Sequence, residues 1–185
     1  MTVTIVLISL LVFITLNVLW LPIWADYKVH ETKPDIEIKD EGFAFLHRWV
    51  ILDTKLFKFY LHHQIGPDAA QEFHDHPWWN LSVILSGGYI ENFPSEYDNI
   101  PVGVPYYLWP ENAKLRKPGQ FILRKPETAH RITLPTGVSS SVSLFFTGPS
   151  IRVWGFWCPE KGWIPWQTYC TESYNGQLVL GKRCD

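Results

Sequence analysis

Several features that announce common functions are missing from this sequence of 185 residues. It has no internal repeat and no low-complexity tract, so a repeat array is excluded. Its three cysteines, Cys158, Cys170 and Cys184, form no CxxC pair and leave one over. Either all three are free thiols, with Cys158 buried between Trp157 and Pro159, or Cys170 and Cys184 close a loop in an oxidising compartment. The formal net charge is only −2. No global field therefore favours nucleic acid or anionic lipid, and no nucleic-acid partner is expected. No Ser-His-Asp or Cys-His set can be assembled from the spacings. From Met1 to Ala25 there is no ionisable side chain at all.

What is present begins with that uncharged stretch. Val3–Trp24 is dominated by Ile, Leu and Val, long enough for one transmembrane helix at about 1.5 Å per residue. Trp20 and Trp24 stand where an interfacial aromatic belt would lie, with Pro22 near the exit. A cleaved leader is disfavoured by the lack of a basic start and of a small-x-small site before Asp26. Lys28, Lys33 and Lys39 follow the span and none precedes it. That pattern predicts a single-pass membrane protein with its following domain in the cytoplasm rather than the periplasm. The expected organisation is an anchor over 1–25, a charged tether over 26–42, a β domain over 43–170 and a polar tail over 171–185.

The β domain rests on many short segments rich in β-branched and aromatic residues, bounded by Pro, Gly or Asp. They are Phe43–Leu52, Lys55–Ile65, Trp78–Phe93, Gly119–Lys125, His130–Leu134, Val142–Thr147, Arg152–Trp157 and Trp163–Tyr169. Hydrophobic residues make up 46% of the chain and Trp occurs ten times, ample for a core. Such a pattern indicates a sandwich or barrel without a convincing soluble helix. Pro94–Pro118 is a long aromatic loop suited to a lid or a contact surface. Lys114, Arg116, Lys117, Arg124, Lys125 and Arg131 read as a solvated basic cluster.

Two histidines, His74 and His76, are two residues apart, so an extended strand points both to one face. Asn80 falls on the same face, and the strand closes at Gly87-Gly88. A third imidazole, His130 in the segment Pro-Glu-Thr-Ala-His-Arg, completes a set able to hold a divalent metal. His63 is a secondary site residue if the face it shares with Phe57, Phe59 and Leu61 points inward, which turns His62 away. Otherwise it is a core histidine. Tyr60, Tyr89 and Glu91 are helpers that the sequence does not place.

These residues resemble the two motifs of the cupin superfamily. Gly66, His74, His76 and Gly87 follow the first motif, with Asn80 where its acidic ligand stands. Gly119, Pro126 and His130 follow the second, with Leu134 at its asparagine. The three-histidine set is similar to that of thiol dioxygenases of cysteine dioxygenase type, and Phe43–Trp166 resembles small bacterial and phage cupins. The resemblance implies an all-β, single cupin (jelly-roll) barrel, here preceded by one transmembrane α-helix. It also implies a mononuclear Fe, Mn, Ni or Zn ion at His74, His76 and His130. Loss of the acidic ligand makes the site more positive by one unit and favours anionic substrates.

Two function classes follow. One is an accessory or scaffolding subunit of an integral membrane complex, of respiratory or photosynthetic type, contacting membrane proteins through its helix and aromatic loops within the lipid bilayer. The alternative is a membrane-tethered, three-histidine, metal-dependent dioxygenase-type enzyme. A metal-free sugar-binding or isomerase-like cupin is a third.

Overall fold

The segment Asn80–Ser86 buries Asn80, Ser82 and Ile84 and leaves Leu81, Val83 and Leu85 half-buried. That period of two is the signature of a strand packed on one face, and it sets the pattern for the fold. The structure, a computed structural model, describes residues 6–7, 20–40, 43–68, 70, 72–94, 111–172, 178–180 and 183–184. It divides into two units, Met1–Pro34 and Asp35–Asp185.

In the first unit, residues 6–7 and 20–31 are helical; the latter is α1. Thr32 Oγ1 donates to the Lys28 carbonyl oxygen at 2.8 Å and finishes its last turn. The single-pass membrane placement expected from Val3–Trp24 is corrected here. Among the described residues no helix is long and apolar enough to cross a membrane, and α1 carries Asp26, Lys28, His30 and Glu31. Residues 3–5 and 8–19 of the expected span lie outside the described residues. The membrane-subunit reading and the cytoplasmic side assigned to the β domain both rested on that span.

The second unit is mostly β. Its strands are β1 (Ile36–Asp40), β2 (Phe43–Asp53), β3 (Lys58–Gln64), β4 (Asn80–Ser86), β5 (Tyr89–Pro94), β6 (Glu111–Arg116) and β7 (Phe121–Arg124). There follow β8 (Arg131–Thr133), β9 (Ser141–Thr147), β10 (Gly155–Cys158), β11 (Gly162–Pro165), β12 (Cys170–Glu172) and β13 (Leu178–Leu180). A single helical turn, α2, covers Trp166–Tyr169. One sheet has the order β1-β2-β3-β9-β4-β7 and a second has β6-β5-β8; β10-β11 and β12-β13 are two-stranded. Pairing within the two larger sheets is antiparallel.

Several expected boundaries move. Residues 36–40 of the expected tether pair with β2. The expected strand Trp78–Phe93 is two strands, split at Gly87 and Gly88, whose φ values of +69° and +127° favour glycine. A Cβ at Gly87 would stand 2.0 Å from the Ser140 carbonyl oxygen, so no other residue fits this turn. The expected strand Trp163–Tyr169 ends in α2. Within Pro94–Pro118, residues 111–116 form β6, and 95–110, where the lid was expected, lie outside the described residues.

The cysteines also differ from expectation. Cys158 pairs with Cys184, whose Cα atoms are 5.4 Å apart, and Cys170 is the free, buried thiol. Connectivity cannot be read from spacing, because it depends on which strands the fold brings together. Cys184 packs with Phe156, Cys158, Ile164, Tyr169 and Cys170, so the bond ties the C-terminal end to this cluster. The bridge spans 26 residues, for which chain entropy gives about 3–4 kcal/mol. Reduction, or Cys184→Ser, is expected to lower stability by that amount in urea titrations; an unchanged midpoint would show that the bridge does not form.

Candidate metal centre

The three histidines meet, though not from the strand first expected. His74 and His76 precede β4 in an irregular segment, and His74 is held by bridges to His130 and to Phe156. The His74 N–H donates to the His130 carbonyl oxygen at 3.0 Å, and the His130 N–H returns the bond at 2.9 Å. His76 donates its N–H to the Pro126 carbonyl oxygen at 2.9 Å. Three backbone bonds therefore set the ring positions before any side chain is considered.

The ligand nitrogens of His74, His76 and His130 all lie within 4.8 Å of one another. His76 Nε2 and His130 Nε2 are 2.9 Å apart. Two nitrogens bound at about 2.0–2.1 Å and at right angles round one ion stand about 3 Å apart. The pair is thus already spaced as neighbouring ligands. His74 brings one ring nitrogen within the same 4.8 Å, and its Nδ1 is a buried polar atom with no hydrogen-bond partner. The donor set fits a divalent transition metal.

Burial first, with His130 and the Arg124 guanidinium nearby, pushes the His74 imidazole down to about 3. Burial beside His130 and His74 likewise holds His76 well below its ordinary value. Both rings are therefore neutral at pH 7, the form that binds metal.

Asn80 does not join this set. It begins β4, where Arg124 is its partner across the ladder. Its Oδ1 accepts from Arg124 Nη1 at 3.2 Å. Arg124, only 4% exposed, also donates to Ser82 Oγ at 2.9 Å and to Tyr89 Oη at 2.8 Å. Its main partner is Glu91, fully buried at 0% exposure, which takes Arg124 Nε on Oε1 and Arg116 Nε on Oε2. Glu91 Oε1 lies 2.8 Å from His130 Nδ1. Burial works to raise the Glu91 carboxyl, but the His130 hydrogen bond and the Arg124 charge outweigh it and hold it well below the usual range. The expected solvated basic cluster is thus corrected: Arg116 and Arg124 turn inward to this carboxylate.

His63 is not part of the centre. It is buried and packs edge-on to His47, with ring centroids 6.2 Å apart. The cavity is lined instead by the opposite face of β3, through His62 and Gln64, so the expected facing of His62 and His63 is reversed. His62 stacks on Phe145 at 4.5 Å, and its Nε2 accepts from Arg48 Nε at 2.9 Å. Arg48 lies 4.7 Å from the centre of the Tyr60 ring. Arg48, His62, Gln64, Phe145 and the three histidines line one cavity of about 460 Å³, whose wall also includes Asp68, Trp154 and Phe156.

These environments fix how the metal-free protein responds to acid. His62, buried beside Arg48, shares the depressed basicity of His74 and His76. A histidine whose folded pKa lies below its unfolded value near 6.5 binds fewer protons when folded. Its stability contribution is complete above about pH 6.5 and is lost as the pH falls toward the folded value, about 3 for His74. Glu91, also depressed, loses its contribution below about pH 4.3. Asp68 acts in the opposite sense. Burial, only partly offset by His130 and the Ile132 N–H, raises it to about 6, so it favours the folded state as the pH drops through that value. Asp75, raised by burial, acts in the same sense as Asp68. The three histidines and Glu91 outweigh the two aspartates, and urea midpoints are expected to fall from pH 7 to pH 4. A flat profile would mean that these rings are solvated.

No protein-family model matches the chain, and no curated protein sequence does. Similar solved structures include a cupin domain from Bordetella pertussis, 13% identical, covering 56% of this chain and 92% of that one at a TM-score of 0.40. Fe(II) HppE is 13% identical, with 63% and 58% covered and a TM-score of 0.47. DMSP lyase DddQ from Ruegeria pomeroyi is 13% identical, with 70% and 61% covered and a TM-score of 0.45. This chain spans less than two thirds of the last two. At these scores the likenesses carry no activity across.

Proposed function

We propose that this chain is a metal-dependent enzyme of cupin type, in which His74, His76 and His130 hold one divalent ion, iron first, for oxygenase chemistry on a small anionic substrate. The observation that carries the reading is the 2.9 Å approach of His76 Nε2 and His130 Nε2, with a ring nitrogen of His74 within 4.8 Å of both. Three neutral ligands leave other positions on the ion open, and a bound iron(II) supplies the one-electron chemistry toward O₂ that side chains lack.

The protein's own groups account for the substrate class. No ligand carries charge, so the ion keeps its two positive units. The Arg48 charge reaches the same place, since it contributes to the depression of His76. Arg48 is held by His62 and Tyr60 rather than by a carboxylate. A carboxylate or similar anion entering between Arg48 and the ion meets positive charge from both sides, while Phe145, Trp154 and Phe156 offer its body an apolar wall. The test is oxygen uptake by protein loaded with iron(II), across a panel of small carboxylates, thiols among them. Uptake that needs both iron and an anionic compound supports the reading, and an Arg48→Ala variant should raise KM more than it lowers kcat. Iron that binds but never consumes oxygen with any member would remove the oxygenase assignment.

A further inference from the structure

The carboxylate absent from the ligand set stands one layer behind it. His130 presents Nδ1 to Glu91 Oε1 at 2.8 Å and Nε2 to His76 Nε2 at 2.9 Å. An ionised carboxylate only accepts hydrogen bonds. The bond to Glu91 therefore requires a proton on His130 Nδ1, and in the neutral ring this leaves Nε2, which faces His76 Nε2, as the nitrogen with the lone pair.

Glu91 is itself held on both carboxylate oxygens. Arg116 Nε holds Oε2 at 2.6 Å, and Arg124 Nε shares Oε1 with His130. For Glu91 to become a ligand it would have to leave Arg116 and Arg124 without their counter-charge, which is strongly unfavourable for a buried pair. Arg124 also occupies Asn80 through Nη1, so the position that matches the acidic ligand of the motif is drawn to the same network.

Resting on the metal reading above, we infer that Glu91 is a positioning residue of this centre: it locks His130 in the Nδ1–H tautomer and sets the site's negative charge behind a ligand instead of among the ligands. Carboxylates placed behind metal-binding histidines raise ligand basicity and orient the ring. Here Arg116 and Arg124 offset most of the charge. Orientation is what remains, and the ion stays cationic toward substrate.

Two measurements test this. Nitrogen-15 NMR of the metal-free wild type should find His130 protonated at Nδ1; protonation at Nε2 overturns the inference without any variant. Cobalt(II) titration, followed by its visible absorption, should then show Glu91→Gln binding about 10–100-fold more weakly than wild type, with a shifted band. Where Glu91→Gln fails to fold with two arginines uncompensated, Glu91→Gln/Arg116→Gln removes one charge of each sign and is read in the same way. A wild type that binds cobalt and a variant that binds it equally, with the same spectrum, overturn the inference alone. A wild type that takes up no cobalt removes the metal reading and this inference with it.

Discussion

The His76→Ala variant is expected to purify folded and without metal, while wild type carries one ion per chain. The three rings form a nearly equilateral triangle, His76 standing 5.2 Å from His74 and 5.1 Å from His130, which are 5.0 Å apart by their centroids. Its only ring hydrogen-bond partner described is His130 Nε2. The backbone bond to Pro126 survives the substitution, so the segment keeps its path. Truncation removes a half-buried neutral ring and a ligand, and no charge is stranded. Affinity should fall by more than the about 100-fold that loss of a supporting hydrogen bond behind a ligand costs. Elemental analysis after dialysis reads the outcome. Equal metal in variant and wild type would show that the ion, if bound, sits elsewhere.

Arg124→Met is the substitution with the largest expected effect on stability. It removes one of two guanidinium partners of a carboxylate that has no solvent exposure. It also strips a donor from Asn80, Ser82 and Tyr89 together. Breaking a buried pair by deleting one partner costs about 3–5 kcal/mol, because the remaining charge loses its compensation. The methionine fills most of the volume, so a cavity contributes little. The geometry adds a second reason. Arg124 belongs to the six-stranded sheet, whereas Glu91 and Tyr89 belong to the three-stranded one, so the bonds cross from sheet to sheet. Urea denaturation checks the value. A loss under about 1 kcal/mol, the range of exposed pairs, would mean that the network is hydrated.

The grouping of the three histidines was legible because spacing carries it: two imidazoles two residues apart, then a third in a segment bounded by Pro126. The strand-rich domain was legible for a similar reason, through alternation and turn residues. Glu91 was visible only as a helper without a place. It shares a face of β5 with Tyr89, but what that face meets is decided by a different sheet, and no local pattern encodes that. His62 and His63 show the limit of alternation itself. Both faces of β3 are buried, with Leu61 at 0% exposure and His62 at 9%, so parity separates two sides without saying which holds the cavity. The apolar N-terminal run was weighed as a span on length and absence of charge, and the helix described at 20–31 carries charge on a different stretch of chain.

The pairing of Asn80 with Arg124 has a consequence for how β7 finds its place at the sheet edge. Along this strand Ile122 and Arg124 are buried, while Phe121 and Leu123 are 73% and 67% exposed. Hydrophobicity alone would accept the strand displaced by one residue, with its phenylalanine and leucine inside. Such a displacement would carry the guanidinium to water and leave Glu91 short of a counter-charge, so the misaligned edge is rejected by charge where greasiness would have let it pass.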